Sequence, residues 1–400
     1  MKTKLYVPVE LYHHVDAPVL HDLTEKDVLV VPDGIISLDH HLEYTGVYHP
    51  NGELVVESVL ERGALGGNRE THNKKIKSFQ IINSDVLYMG TGYIFQHFGH
   101  FWIEGIARLW PLLYPKYRGL KVAVAIQGKR TIPSFVRQTL NALGVADEDI
   151  VIVNENTKFS RVFVPKQSGV IGVYTLPITK RVADAIADSV EVSDIETYDK
   201  IYFSRGAMND ERTFGEHQIE KVFAKNGYKV IYPEKLPLTH QITLARYCKT
   251  MAGTAGSALH LALFMRPGGR VIQIKRNTTS SDNIHVQEIL DNLCGLETIL
   301  VAGSIEPQPT EHFSIAPQIV GITPYMLKFF DDNGFQYDES DLQPDAVEFS
   351  RYLRQIKRHK MRVLYSHIVG VPIRIVAFLG ITKMGQRRIR QYLKRLVHAI

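Results

Sequence analysis

The chain has 400 residues, 44% of them hydrophobic and 22% charged, a composition typical of a globular protein with two or three domains. Its two cysteines, Cys248 and Cys294, lack CxxC or CxxH spacing, which argues against a disulfide framework and a zinc site and fits a reducing compartment. The net charge is +5. The N-terminus has no long apolar segment, so no secretory signal is predicted. No uncharged apolar run of about 18 residues occurs, so no transmembrane helix is predicted.

The first half of the chain alternates between short apolar runs and segments with helical periodicity. Strands are predicted at 4–7, 28–31, 54–60, 86–90, 122–126, 151–153 and 162–164. Pro50-Asn51-Gly52 supplies the turn of a predicted hairpin. Helices are predicted at 101–113 and 133–143, and residues 180–198 are predicted to form a helix that runs into a polar link. This order predicts an N-terminal α/β domain over residues 1–195.

A second α/β unit follows. Strands are predicted at 201–203, 230–232, 250–252 and 271–274, and helices at 215–226, 238–249 and 257–265. Residues 303–345 are predicted to be rich in loops. We therefore expect a C-terminal domain over 196–325 and a third segment, 326–400, that consists of a loop and a basic helical tail.

His100 and Glu104 are the candidate catalytic residues. They are four residues apart, one helical turn, so both side chains lie on the same face, and His97 lies three residues earlier. Either group suits a general base that removes a proton from an attacking hydroxyl. The alternative is a core histidine beside a surface carboxylate. Arg108 is expected to pair with Glu104 rather than to bind substrate.

Candidate ligand-binding residues follow the strands of the second unit, where ligands of open α/β sheets bind. Arg205 and Arg212 suit a diphosphate, with surface ion pairs as the alternative. A glycine-containing turn opens the predicted helix at 257–265 and would direct backbone N–H groups at an anion. Its candidate residues are Gly253, Gly256, Ser257 and His260. Tight packing of strand against helix is the alternative for the turn.

Glu234 and Gln241 follow the strand at 230–232. A carboxylate at the end of a strand suits ribose hydroxyls, so Glu234 is a candidate for binding the ribose of a nucleotide. An exposed turn residue is the alternative for Glu234. Gln241 is a candidate for the same site, and its alternative is to brace the loop.

The tail has a charge distribution unlike the rest of the chain. Residues 351–400 contain 13 of the 47 Lys and Arg residues and none of the 42 Asp and Glu residues. The terminal sequence GQRRIRQYLKRLVHAI predicts an amphipathic helix that lies on an anionic membrane. Packing on the body, homo-oligomerisation and RNA binding are alternatives. The apolar residues at 363–381 argue against nucleic acid.

Two sequence blocks resemble glycosyltransferase family 61, which includes transferases of bacterial capsular polysaccharide synthesis. The first is GHFWIEGIARLW, at 99–110. The second runs from Y-x-S-R at 202–205 and R-x-x-x-E at 212–216 through G-Y-x-V-x-x-P-E-x-L-x-L-x-x-Q-I-x-L to G-x-x-G-S-A-L-H at 253–260. The resemblance implies a GT-B-like fold of two Rossmann-like αβα domains facing a cleft. It also implies a nucleotide-sugar donor, inversion at the anomeric carbon and no required metal or other cofactor.

The combined expectation is a glycosyltransferase that moves a hexosyl, N-acetylhexosaminyl or pentosyl group to a surface or capsular polysaccharide. The donor is expected to be UDP-linked and the acceptor to be a glycan or lipid-linked glycan. We expect a cytoplasmic protein bound peripherally to the inner face of the cell membrane. The alternatives are a non-catalytic scaffold of a polysaccharide-assembly complex and a pyruvyl or phosphoryl transferase of the same architecture.

Overall fold

The computed structural model describes residues 3–8, 12, 20–38, 45–62, 76, 78–91, 95–126, 131–190, 192, 194–208, 212–276, 283–305 and 316–365. The strands, in chain order, are β1 (Lys4–Tyr6), β2 (Val28–Pro32), β3 (Ile35–Ser37), β4 (Gly46–Tyr48), β5 (Gln80–Thr91), β6 (Lys121–Ala125), β7 (Ile150–Val153), β8 (Thr157–Pro165), β9 (Gly169–Val170), β10 (Tyr174–Thr175), β11 (Lys200–Phe203), β12 (Thr213–Phe214), β13 (Lys229–Ile231), β14 (Thr250–Thr254), β15 (Arg270–Lys275), β16 (Glu297–Ala302) and β17 (Gln318–Ile319).

The α-helices of the described ranges are α1 (Phe98–His100), α2 (Ser134–Ala142), α3 (Pro177–Val190), α4 (Glu216–Lys225), α5 (Leu238–Tyr247), α6 (Asn283–Leu293), α7 (Pro324–Asp332) and α8 (Ala346–Tyr365). Short 3₁₀ and π turns cover Glu25–Asp27, Val56–Ser58, Phe101–Gly105, Ile106–Arg108, Trp110–Leu113, Pro115–Tyr117, Asp147–Asp149, Pro233–Lys235 and Ser257–Phe264. None of the helices in these ranges is long and apolar enough to cross a membrane.

A six-stranded parallel sheet has the order β1-β16-β15-β14-β11-β13. Its central strands are buried along most of their length, which explains why they appear in the sequence as continuous apolar runs. The N-terminal strand β1 pairs with β16. The first residues of the chain therefore belong to the same sheet as residues 200–302, across the predicted boundary at 195/196.

A second, mixed sheet has the order β4-β3-β8-β5-β6-β7, and β2 also pairs with β8. Strands β8, β5, β6 and β7 run parallel, whereas β2, β3 and β4 add antiparallel pairs. The chain is thus α/β with one parallel and one mixed sheet. One hydrophobic core joins the elements between them, and in it Trp102 packs edge-to-face on Phe264 with ring centroids 5.0 Å apart.

Most predicted strands and helices are confirmed, and four segments differ. The strand predicted at 54–60 is wrong: Leu54 forms one bridge to Tyr48 and the chain then enters the 3₁₀ turn at Val56–Ser58. Residues 303–345 include β17 and α7, so the prediction of a loop-rich stretch is wrong in part. The helices predicted at 101–113 and 257–265 are instead built from π and 3₁₀ turns.

The tail begins as a helix that packs on the body. Tyr352 of α8 is fully buried and clusters with Phe214 and Ile319, while Phe349 and Ile356 pack at the edge. The basic residues of α8 that follow Tyr352 are largely exposed. The predicted amphipathic sequence at 385–400 lies outside the described residues. The first turns of the tail therefore match the packing alternative.

Candidate functional site

The chain forms an irregular helix where the first sequence block lies. Short helix α1 has His97 as its N-cap, and a π turn follows at Phe101–Gly105 in which the N–H of Ile106 donates to the carbonyl of Phe101. Single π turns often occur at functional sites because they reorient side chains within a helix. Here the π turn contains Glu104, whose side chain is fully buried.

His100, Glu104 and Arg62 form one hydrogen-bonded cluster. His100 Nδ1 lies 2.7 Å from Glu104 Oε2, and Arg62 Nε donates to Glu104 Oε1 at 2.7 Å. Arg62 Nη2 lies 3.4 Å from Glu104 Oε2. A buried carboxylate needs such partners because water no longer solvates its charge. His100 and Glu104 are therefore close together, as predicted. The carboxylate also accepts a hydrogen bond from Arg62, which lies 42 residues earlier in the chain.

This arrangement determines the proton positions on His100. Arg62 Nη2 lies 3.3 Å from the same Nδ1, and the carboxylate of Glu104 is the nearer group at 2.7 Å. An ionised carboxylate only accepts hydrogen bonds, so the shorter contact assigns the proton to Nδ1 and the basic lone pair to Nε2. The carboxylate then orients the ring, as in a catalytic histidine–carboxylate pair. His100 is partly exposed, with 21% of its side chain accessible. The geometry suits His100 as a base and Glu104 as its orienting group.

His97 lies beside His100, with ring centroids 4.7 Å apart. His97 Nδ1 accepts the backbone N–H of His100 at 3.4 Å. Burial lowers the pKa of His97, and the nearby His100 and Arg212 act in the same direction. An uncharged His97 therefore braces the start of α1 next to the candidate base.

The opposite wall of the site is built from the carboxyl ends of the six-stranded parallel sheet. Arg205 follows β11 and Arg276 follows β15. A Cβ atom built on Gly256 would lie 3.3 Å from Arg205 Nη1 and 3.7 Å from Arg276 Nη2. Two guanidinium groups thus flank the backbone of Gly256, which precedes the 3₁₀ turn at Ser257–Phe264. This combination of glycine backbone and arginines suits a diphosphate.

Arg212 adds a third cation to the same region. Its side chain is exposed, and its charge contributes to the lowered pKa of His97. The neighbouring Thr213 accepts a hydrogen bond from Arg276 Nη1 at 2.8 Å through its hydroxyl oxygen. Arg205 and Arg212 therefore lie near His97, and Arg276 lies with Arg205 beside Gly256.

Glu216 connects the strands beneath the arginines. Its carboxylate accepts the backbone N–H of Arg205 at 3.2 Å and the hydroxyls of Tyr202 and Thr254, each at 3.1 Å. Burial and the neighbouring Glu220 raise the pKa of Glu216 to about 7. Glu216 thus ties β11 and β14 to the first turn of α4.

The two walls meet at Gly99. A Cβ atom at this position would lie 2.6 Å from Ser257 Oγ and 3.2 Å from His260 Cδ2. A glycine is required for so close an approach of helix α1 to the 3₁₀ turn. The catalytic candidate His100 is therefore adjacent, through its neighbour Gly99, to Ser257 and His260 of the 3₁₀ turn.

Three predicted donor residues have positions that differ from the rest. Gln241 is buried and its amide donates to the carbonyls of Pro233 and Leu236 at 2.8 and 2.9 Å, so it braces the loop. Glu234 is exposed after β13, at the edge of the sheet. Gly253 lies within β14, where a Cβ atom would be 2.6 Å from the carbonyl oxygen of Phe203. The role of Gly253 in this structure is the packing of β14 on β11.

The predicted pair of Arg108 with Glu104 is wrong. Arg108 is buried and donates to the backbone carbonyls of Glu57, Val59 and Pro165 at 2.7, 2.8 and 3.2 Å. The π turn rotates Arg108 away from the face of Glu104, so the usual relation of residues four apart in an α-helix does not hold. Arg108 instead fastens the loop that precedes Arg62.

Sequence reasoning missed Arg62, Glu216 and Arg276. Arg276 follows a buried strand directly, the same signal that identified Arg205. Arg62 carried no local signal because its partner is 42 residues away. Within the described ranges, no group of three or more His, Cys, Asp and Glu side chains is arranged to hold a metal ion.

Comparison with known proteins gives one family match. Residues 98–272 match the family model described as Glycosyltransferase 61. No curated protein matches the chain significantly. Among solved structures, the chain has a weak likeness to the dodecameric iron-containing heptosyltransferase TibC in complex with ADP-D-beta-D-heptose. The identity is 11%, over 88% of this chain and 98% of that chain, and the TM-score of 0.24 is too low to support an argument.

Proposed function

From the match of residues 98–272 to the Glycosyltransferase 61 family model, we propose that the protein transfers a sugar from a nucleotide-sugar donor to a glycan acceptor. The transfer proceeds with inversion and without a bound metal ion. The observation that carries the proposal is the contact between Gly99 and Ser257. It brings the cluster of His100, Glu104 and Arg62 next to the arginines around Gly256. One site thus contains a base and a set of cations for a leaving diphosphate.

The proposed reaction is a single displacement. The acceptor hydroxyl oxygen bonds to the anomeric carbon while the bond from that carbon to the diphosphate oxygen breaks, which inverts the configuration. The hydroxyl proton passes to His100 Nε2, and Glu104 stabilises the imidazolium. The nucleoside diphosphate leaves with negative charge that Arg205, Arg212 and Arg276 stabilise in place of a metal.

In this proposal the two sheets form the halves of a GT-B-like architecture. Residues 1–195 provide most of the acceptor side and the base, and residues 196–325 provide the donor side. The donor is a UDP-linked sugar or another nucleotide sugar. The acceptor is a surface or capsular polysaccharide or its lipid-linked precursor.

Donor binding is tested by calorimetry with UDP, GDP, CMP and their common sugar conjugates, with and without EDTA. We expect one base to bind tightly and EDTA to have no effect. Arg276→Met and Arg205→Met should each weaken binding at least tenfold. Arg161→Met is the matched control because Arg161 forms an exposed ion pair with Asp85 on the other sheet. Silence from every nucleotide would favour the scaffold alternative.

Catalysis is tested with His100→Ala. We expect turnover to be lost while the donor binds with unchanged affinity, since His100 acts on the acceptor hydroxyl. Hydrolysis of the sugar nucleotide in the wild-type protein would separate glycosyl transfer from pyruvyl or phosphoryl transfer. Wild-type turnover in the His100→Ala variant would remove His100 from the role of base.

The proposed location is the cytoplasmic face of a membrane, where residues 351–400 bind anionic lipid. These residues contain Arg387, Arg388, Arg390, Lys394 and Arg395, and each cation near an anionic surface contributes about 1 kcal/mol. Flotation of the full chain with vesicles containing phosphatidylserine tests this. Replacement of the five cations by Gln should abolish flotation, whereas equal flotation of both proteins would contradict the proposal.

A further inference from the structure

His260 takes part in a buried chain of hydrogen bonds that leads away from the site. Its Nδ1 lies 2.9 Å from Oε1 of Gln287, a buried residue of α6. Gln287 Nε2 donates to the carbonyl oxygen of Leu259 at 3.1 Å and to Asp291 Oδ1 at 2.7 Å. The hydroxyl of Thr298 donates to Asp291 Oδ2 at 2.9 Å. The side chains that continue this chain of hydrogen bonds beyond His260, those of Gln287, Asp291 and Thr298, lie outside the matched region 98–272.

The chain of hydrogen bonds determines the tautomer of His260. A backbone carbonyl oxygen only accepts, so the Gln287 atom that faces Leu259 is the NH₂ group. The amide oxygen of Gln287 must then face His260, and His260 Nδ1 must carry a proton to donate to it. Burial lowers the pKa of His260 to about 4, with His100 and His97 acting in the same direction. At neutral pH the ring is therefore uncharged and its lone pair lies on Nε2.

The Nε2 edge of the ring is near the catalytic candidates. His260 Cδ2, the carbon bonded to Nε2, lies 3.2 Å from the position of a Cβ atom on Gly99, and Gly99 precedes the candidate base His100. The residue as a whole is partly exposed. Gly256, with its flanking arginines, lies four residues earlier in the chain. His260 thus lies beside the residue that precedes the base, and four residues after Gly256 in sequence.

An uncharged Nε2 acceptor is unsuited to phosphate. A nucleotide diphosphate at neutral pH presents acceptor oxygens and negative charge, so it needs donors or cations. A sugar hydroxyl, in contrast, donates a proton. The transferred sugar is bonded directly to the diphosphate, and its hydroxyls therefore lie within a few ångströms of Gly256 and of the base.

We propose that His260 accepts a hydrogen bond at Nε2 from a hydroxyl of the donor sugar, and that Gln287 and Asp291 are positioning residues that hold His260 in the required tautomer. This inference rests on the proposed function, because it names the part of the donor that the residue recognises. It replaces the contact between His260 and phosphate that the sequence suggested. A hydrogen-bond acceptor at this place discriminates donors by the position of a hydroxyl.

The tautomer is tested without any ligand. Nitrogen-15 NMR of the full chain separates protonated from unprotonated ring nitrogens, and the His260→Asn variant assigns the signals among the 17 histidines. We expect Nδ1 protonated and Nε2 unprotonated at pH 7. In Gln287→Met the Nδ1–H preference should be lost, since the acceptor is gone. An Nε2–H tautomer or an imidazolium at pH 7 in the wild-type protein would overturn the proposal.

Recognition of the sugar hydroxyl is tested with two substitutions of His260. Each keeps a polar group in place of only one of the two ring nitrogens. His260→Asn keeps an amide near Nδ1 and lacks Nε2, whereas His260→Gln places an amide oxygen near Nε2. The probes are UDP-glucose and UDP, or the matching pair of the base found in the nucleotide screen. We expect His260→Asn to weaken binding of the sugar nucleotide about 3- to 10-fold and to leave the free diphosphate unchanged, with smaller losses in His260→Gln.

The outcomes separate this inference from the proposed function. Equal losses for the sugar nucleotide and the free diphosphate, or unchanged binding of both by His260→Asn, would overturn the hydroxyl contact while donor binding stands. Failure of the wild-type protein to bind any nucleotide would overturn both, and the NMR tautomer would then be a structural feature only.

Discussion

The carboxylate of Glu216 accepts the backbone N–H of Arg205 at 3.2 Å. Glu216 is the first residue of α4, and Arg205 follows β11. Glu216 also accepts hydrogen bonds from the hydroxyls of Tyr202 and Thr254. It therefore fixes the loop that carries Arg205 relative to the neighbouring strand β14. The proposed diphosphate site therefore depends on an acid that is itself buried.

Glu216 should make stability depend on pH. Its pKa is about 7 in the folded protein, compared with a reference value of 4.5. The folded state binds more protons between these values, so stability falls as pH rises from 4.5 to 7. The loss reaches up to roughly 3 kcal/mol. Glu216→Gln should remove this slope in urea unfolding measured from pH 5 to 8.

The matched control for this measurement is Glu155→Gln, since Glu155 is exposed in the loop between β7 and β8. It should keep the wild-type slope. Parallel stability curves for the wild-type and Glu216→Gln proteins would show that Glu216 is ionised at pH 5, contrary to the expectation.

Gly215 should tolerate no side chain. Its φ is +80°, and a Cβ atom would lie 2.0 Å from the carbonyl oxygen of Val320. Gly119 has a φ of +81° with no atom within 4 Å of its Cβ position. Gly119→Ala should cost about 1 kcal/mol for the backbone conformation alone, and Gly215→Ala should cost at least about 2 kcal/mol more. Equal unfolding free energies for the two variants would contradict this contact.

Gly99 and Ser257 should be energetically coupled. Gly99→Ala places a Cβ atom 2.6 Å from Ser257 Oγ, which should destabilise the protein by about 1–3 kcal/mol and weaken nucleotide binding. Ser257→Gly removes the clashing atoms, so the double variant should regain most of the stability. A double-mutant cycle of urea unfolding measures the coupling, and additive effects would mean that the two walls do not meet here.

Arg62 should be needed both for stability and for the base. Arg62→Met leaves the buried Glu104 with one partner fewer, at a cost of about 3 kcal/mol. Addition of Glu104→Gln should restore most of the stability and leave turnover low, because the neutral amide no longer stabilises a protonated His100. Arg161→Met, which breaks an exposed pair, should change neither property. Full turnover in the double variant would exclude an orienting role for Glu104.

The central parallel strands were predictable because burial on both faces gives continuous apolar runs, as at β11 and β15. The same pattern singled out Arg205 and Arg212 as candidates, because they come after the predicted strand at 201–203. The π turn after His100 was not predictable, because the spacing of its residues also fits an α-helix. Contacts that join distant segments, such as Arg62 with Glu104 and His260 with Gln287, leave no periodic signal in one sequence.

The attachment of α8 also affects how a shortened protein has to be designed. Glu348 accepts the backbone N–H of Gly215, and Tyr352 covers Phe214, so this helix seals the segment next to Glu216. A protein truncated before Ala346 would lose the helix that covers Phe214, so a loss of binding or activity in it would reflect misfolding. A cut after Tyr365 separates the question of membrane binding from that of folding.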